Sequence, residues 1–397
     1  MKKTYRQEWF ENIKGDILGG LVTTFSVIPE VIGFTLVAGV NPILGLYTSM
    51  AFLILSSFLG GRPALVSAGA GSVAMVVVSL ISGYGTDYLF VAVFLAGIIQ
   101  IILGFLKIGN LLKYVPPSVM SGFVDALAIM IFAAQIKNCA GGDLQMFLFI
   151  GLSIIIVYVF PFITRKVPST LIAIILVTII SCLLGNKTIT IGELGNIKAA
   201  FPTIHAPTLL LDINAWKIVL PYSISLAFVG LIETLLTTNV VNEMTNTESS
   251  NNRECKSQGI INMVCGIIGA MPGCAMIGQA IVNVKSGGRG RLSTMFSGIF
   301  LIFIIGIGSI LLNIIPLAAL IGVMITVSIA TFDWQYIKEI KQKSFVELIT
   351  TISTVIVVVL TDNLAYGVGI GLVIFYLGKV MKSKFINKSN TYKKELL

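Results

Sequence analysis

Fourteen apolar runs, separated by short polar or glycine-rich connections, fill the chain from residue 17 to residue 380. They occupy residues 17–37, 43–59, 68–81, 88–106, 117–135, 146–163 and 168–184, then 219–241, 257–269, 275–284, 293–312, 316–330, 345–361 and 363–380. A lipid bilayer gives backbone N–H and C=O groups no water to bond, so runs of this kind must be helices packed side by side. Composition agrees: 56% of the 397 residues are apolar and 11% are charged, against about 25% charged in a soluble domain. The expected fold is an all-α polytopic membrane protein of fourteen transmembrane segments in two inverted seven-segment repeats. The first repeat takes residues 1–185, an outward loop takes 186–217, the second repeat takes 218–382, and a short basic tail takes 383–397.

Orientation follows from where the cations fall. With the amino terminus inside, only Lys137, Lys187, Lys198 and Lys217 lie outside, leaving 23 of the 27 basic residues within. By the positive-inside rule both termini are then cytoplasmic, in the cell membrane, and the net charge of +9 reflects topology rather than nucleic-acid binding. Met1 to Asp16 is polar and the first apolar run is longer than a signal peptide's core, so no secretory signal is expected. The five cysteines form no CxxC pair and the single histidine, His205, falls in the outward loop, so no metal or other cofactor and no enzymatic centre is expected.

The third and tenth runs, 68–81 and 275–284, are too short to cross about 30 Å of hydrocarbon at 1.5 Å per residue. Each follows a stretch of small and helix-breaking residues, Gly60 to Ser67 and Gly269 to Cys274. Paired interruptions in corresponding places of two halves point to a transporter's substrate site. Seven is odd, so the second set must run opposite to the first. Pro116 and Gly122, matched by Pro316 and Gly322, repeat the same spacing in the fifth segment of each set. Gly69, Gly71, Gly273 and Gly278 also have a plainer use, close helix packing.

Three acids lie inside apolar runs, Glu30, Asp125 and Glu233, and each must face protein or a cavity rather than lipid. Glu30 follows Pro29, which is expected to break the first helix. Asp125 reads as a packing residue or the partner in an interhelical hydrogen bond. Glu233 lies near the middle of its run, with Thr237 one turn along the same face. No Lys or Arg occupies the interior of any run, so an anion site must rely on helix amino termini.

Several stretches resemble the sulfate permease (SulP) family of anion transporters. They are Gly15 to Leu21, Pro29 to Phe34, Gly39 to Pro42 with Gly45 to Tyr47, Gly122 to Ile129, Gly230 to Thr237, and Asn283 to Arg289. The resemblance implies a core domain and a gate domain, with the anion held between the third and tenth segments by Glu30, Phe34, Ala70, Gly71, Ser72, Met276, Ile277, Gly278 and Gln279. It also implies ion coupling, by H+ or Na+, at Glu233 and Thr237, and a homodimer. Many family members carry arginine where this chain has Gln279, and many continue into a cytoplasmic STAS domain where this chain has about seventeen polar residues. Any STAS partner is therefore expected on a separate chain. The expected function is symport of a small inorganic anion, sulfate or bicarbonate, with H+ or Na+, by rigid-body movement of core against gate. A nucleobase permease of the same architecture and a passive anion channel are the alternatives.

Overall fold

The computed structural model describes residues 4–110, 115–164, 167–185, 188–194, 202, 208–361 and 363–395. His205, Lys187 and Lys198 lie outside the described residues. Fourteen helices, one for each apolar run, carry the fold. The first set is α1 (Ile13–Ala38), α2 (Pro42–Leu59), α3 (Gly71–Tyr84), α4 (Thr86–Phe105), α5 (Pro117–Asn138), α6 (Leu144–Ile163) and α7 (Ser169–Leu183). The second set is α8 (Ile213–Thr245), α9 (Asn251–Ile267), α10 (Ile277–Lys285), α11 (Arg291–Asn313), α12 (Leu317–Thr331), α13 (Phe345–Thr361) and α14 (Leu364–Glu395). Helix α14 runs on through the stretch expected to be a tail.

Helices α3 and α10 span roughly 21 Å and roughly 14 Å at 1.5 Å per residue, both short of the about 30 Å of hydrocarbon. Each is preceded by a short strand, β1 (Ser67–Gly69) before α3 and β2 (Gly273–Ala275) before α10. The strands pair antiparallel, Ser67 opposite Ala275, Ala68 opposite Cys274 and Gly69 opposite Gly273, and Met276 N–H adds a bond to Val66 O at 2.9 Å. Extended backbone in a membrane has no water to satisfy it, so the two interruptions satisfy one another. Because corresponding elements of the two sets meet antiparallel, the sets run in opposite directions, as an inverted repeat requires.

One expectation is corrected. Pro29 does not break the first helix: α1 runs from Ile13 to Ala38 with Pro29 inside it. Tight packing on every side offsets the one backbone hydrogen bond that proline removes, since Ile28, Val31, Ile32 and Phe34 are all buried.

Helix α9 is the least apolar of the spans, yet Ser257, Gln258 and Asn262 on it are buried. It packs on α4 through glycines seven residues apart on each helix, Gly97 and Gly104 against Gly259 and Gly266. A methyl at Gly97 would lie 2.5 Å from Gly259 O, and one at Gly259 would lie 2.5 Å from Gly97 O. Small residues that admit such an approach are the usual means of association between helices in lipid.

Two compact units emerge. The larger comprises residues 1–112 and 131–327 and the smaller residues 113–130 and 328–397. Within the larger, a buried charged cluster anchors the start of the chain. Arg291 Nε meets Glu8 Oε2 at 2.7 Å, and its Nη1 donates to Ser57 O and Gly60 O, both at 3.0 Å. Glu254 Oε2 accepts from the N–H groups of Gly61 (2.6 Å) and Arg62 (3.1 Å). Arg62 donates to Val241 O at 3.1 Å and to the Thr245 hydroxyl. Burial pulls the Arg62 guanidinium down to about 10, with Glu254 and Glu8 acting the other way. Within the smaller unit, Asp125 Oδ1 accepts from Asp333 N–H, just before the short helix Trp334–Lys338, at 2.8 Å.

Candidate functional site

The two half-helices begin alike. Ala70 precedes α3 with φ −110° and ψ 153°, and Met276 precedes α10 with φ −109° and ψ 119°. The first bonds inside each helix run from Ala74 N–H to Ala70 O and from Ala280 N–H to Met276 O, both 3.0 Å. The amides of Gly71, Ser72 and Val73, and of Ile277, Gly278 and Gln279, come before those bonds and point out of the helix ends. Each end carries about half a positive elementary charge, so the pair supplies roughly the charge of one cation without a Lys or Arg.

Glycine makes room for a ring at one of these ends and leaves open space at the other. A methyl at Gly71 would stand 2.6 Å from Phe34 Cε1, so the bare backbone lets the Phe34 ring lie on the first turn of α3. At Gly278 a methyl would meet nothing within 4 Å, and this residue is exposed while Gln279 and Ala280 beside it are buried. Ile277 and Glu30 are half-buried, and Ala70, Ser72 and Met276 are buried. The Glu30 side chain lies near that of Gln279 in the first turn of α10.

Glu233 is held differently. The Ser72 hydroxyl donates to its Oε2, and Cys274 Sγ donates to the same oxygen at 3.2 Å. One residue along, Thr234 Oγ1 accepts from Ala275 N–H at 3.1 Å. Helix α8 is thus bonded to the first turn of α3 and to the strand leading into α10. The Thr237 hydroxyl donates to its own helix at Glu233 O, 2.8 Å away. The oxygen atoms of Glu233, Ser72 and Thr237 are of the hard kind that suits a proton or sodium, whereas Cys274 sulfur suits neither ion as a ligand. Of the residues expected at the site, the structure brings together Glu30 with Gln279, Phe34 with Gly71, and Ser72 with Glu233. The two glutamates have separate partners.

Residues outside the expected set hold these parts in place. Asn262 Nδ2 donates to Gly273 O at 3.1 Å and to Gln100 Oε1 at 2.9 Å, while its Oδ1 accepts from Gly273 N–H at 3.0 Å. Gln258 Nε2 reaches Ser67 Oγ at 2.9 Å and so steadies the other strand. Buried Met324 of α12 packs where a methyl on Gly33 would otherwise go, 2.7 Å from its Cγ. The polar spacing of Gln258 and Asn262, one turn apart in an apolar run, was the signal for the first pair. Cys274 and Met324 gave none.

Paired half-helices with facing amino ends, strand-linked across an inverted repeat, define the class of membrane transport proteins that bind their cargo at the point of crossing. The chain belongs to the sulfate permease family, whose model matches residues 13–150 and 143–354. It is 46% identical over 393 residues to the putative sulfate transporter YbaR of Bacillus subtilis (strain 168), covering 98% of this chain and 82% of that one. It is 28% identical over 395 residues to the bicarbonate transporter BicA of Picosynechococcus sp., covering 91% and 69%. Among solved structures, the transmembrane domain of a cyanobacterial BicA superposes with TM-score 0.81 at 26% identity over 90% of this chain and 97% of that one. Murine Slc26a9 in its inward-facing state shares the fold, with TM-score 0.81 at 20% identity over 94% and 69%.

Proposed function

We propose that the chain is a secondary active transporter of a small inorganic anion of the sulfate or bicarbonate class, coupled to H+ or Na+. The observation that carries this reading is the meeting of two helix amino ends around the β1–β2 pair, with the carboxyl of Glu233 bonded to both approaches. The named relatives are described as a putative sulfate transporter and a bicarbonate transporter, and family membership makes anion transport the coarse function.

An anion at the amino ends is attracted by about one positive charge in total, and two carboxyls nearby repel it. Glu233 has two donors on one oxygen and, among the described residues, no cation beside it, so an ion that neutralises it improves the site for an anion, which is the thermodynamic content of symport. In this reading the core domain, with the two half-helices, moves as a rigid body past the gate domain and carries the site from one face of the membrane to the other. The protein works as a homodimer in the cell membrane with both termini cytoplasmic. Uptake of radiolabelled sulfate and of bicarbonate into liposomes, at two pH values with and without sodium, tests the reading. Saturable uptake of one of them that rises with inward H+ or Na+ is the expected result, and equal flux under all conditions excludes coupling.

A further inference from the structure

The geometry points to Ser72 as the positioning residue that links the coupling carboxyl to the anion, through a single hydroxyl hydrogen that serves one or the other. The inference rests on the transporter reading above. Ser72 belongs to two parts of the site at once. Its backbone amide is one of the three at the open amino end of α3, and its hydroxyl donates to Glu233 Oε2 on α8. Cys274, from the strand before α10, donates to the same oxygen at 3.2 Å and lies 3.6 Å from Ser72 Oγ. Two donors from two elements therefore converge on one carboxylate oxygen carried by a third, and all three side chains are fully or nearly fully buried.

A serine hydroxyl has one hydrogen and two lone pairs. With the Glu233 carboxylate bare, that hydrogen is committed to Oε2. If a proton enters from solution onto the carboxylate, the new O–H donates to Ser72 Oγ, and no other bond changes. If sodium enters, it takes the carboxylate oxygen and a lone pair of Oγ. In both cases the Ser72 hydrogen is released from Glu233 and turns to an anion at the amino end of α3. Filling of the ion site then raises anion affinity, and by reciprocity the anion raises ion affinity. Cys274 makes the same bond to Oε2, but it sits in a strand rather than in the first turn of a half-helix, so its hydrogen has no anion to serve. The pairing of Ser72 with Cys274 gives the inference a built-in comparison.

The test uses the full chain reconstituted in liposomes, with sulfate and bicarbonate as probes, and reads the half-saturating anion concentration at two pH values and two sodium concentrations. In the unaltered protein it falls by about tenfold with one of the ions, the size of effect typical of coupled sites. Ser72→Ala flattens that dependence to within about twofold, Ser72→Thr restores it, and Cys274→Ala keeps it. Where Ser72→Ala moves anion too slowly to follow, the rise in unfolding temperature that the anion causes in detergent, at the same pH and sodium values, gives the same comparison. Ser72→Ala retaining the full ion dependence while Glu233→Gln abolishes it overturns the role of Ser72 and leaves symport standing. An unaltered protein with no dependence on either ion overturns both.

Discussion

Asn262 offers the most quantitative test of how the half-helices are held. It is buried and makes three hydrogen bonds, to both backbone groups of Gly273 and to Gln100 Oε1. Asn262→Leu fills nearly the same volume but leaves those three groups unmet. Each orphaned buried group costs about 1–3 kcal/mol, so the substitution costs about 3 kcal/mol or more. With an unfolding entropy of about 2.1 cal/mol/K per residue, a chain of this size shifts by little more than about 1 °C per kcal/mol, so the unfolding midpoint in detergent falls by about 4 °C. Because Gly273 opens the strand that leads into α10, the amino end of that half-helix also shifts, and the half-saturating anion concentration rises in parallel. Ile260, exposed on the same helix, is the control, and Ile260→Ala moves the midpoint by less than about 0.5 kcal/mol equivalent. An Asn262→Leu protein that melts with the unaltered one and binds anion as well would refute the strand-anchoring role.

Gly278→Phe fills the open space at the start of α10 and abolishes anion uptake with little change in unfolding temperature, whereas Gly71→Ala drives a methyl into Phe34 and lowers both. Arg291→Ala strands Glu8 and the carbonyls of Ser57 and Gly60, and removing one partner of a buried charge pair costs about 3–5 kcal/mol; the 22% exposure of the Glu8 side chain places the loss at the lower end, read as a fall in unfolding temperature. Gln279→Arg puts a fixed cation against Glu30 and beside the helix ends, so the ratio of sulfate to bicarbonate uptake rises; an unchanged ratio removes Gln279 from the selectivity argument.

Fourteen spans were legible because each is a bounded apolar run, and the half-helices were legible because 68–81 and 275–284 are too short to cross. The strand pairing was not. Nothing in Ser67 to Gly69 or Gly273 to Ala275 has a strand pattern, and only the absence of water at depth makes those two segments bond to each other. Pro29 was misread because local propensity was weighed without the packing around α1. Arg62 and Arg291 counted as loop cations in the sequence, yet both are buried and paired within the protein, a tertiary fact that charge tallies do not contain. Glu233 and Ser72 were each assigned a role separately. Their contact is a property of how α3 and α8 meet, as is the arrival of Cys274 from the second repeat.

The most direct measurement is accumulation. Liposomes carrying the purified protein are given an inward H+ gradient or an inward Na+ gradient, and internal sulfate and bicarbonate are followed to steady state. One gradient should drive one anion above its equilibrium level, and Glu233→Gln should allow that anion only to equilibrate. Steady levels that ignore both gradients, or concentrative uptake that persists in Glu233→Gln, would contradict coupling through the buried carboxyl.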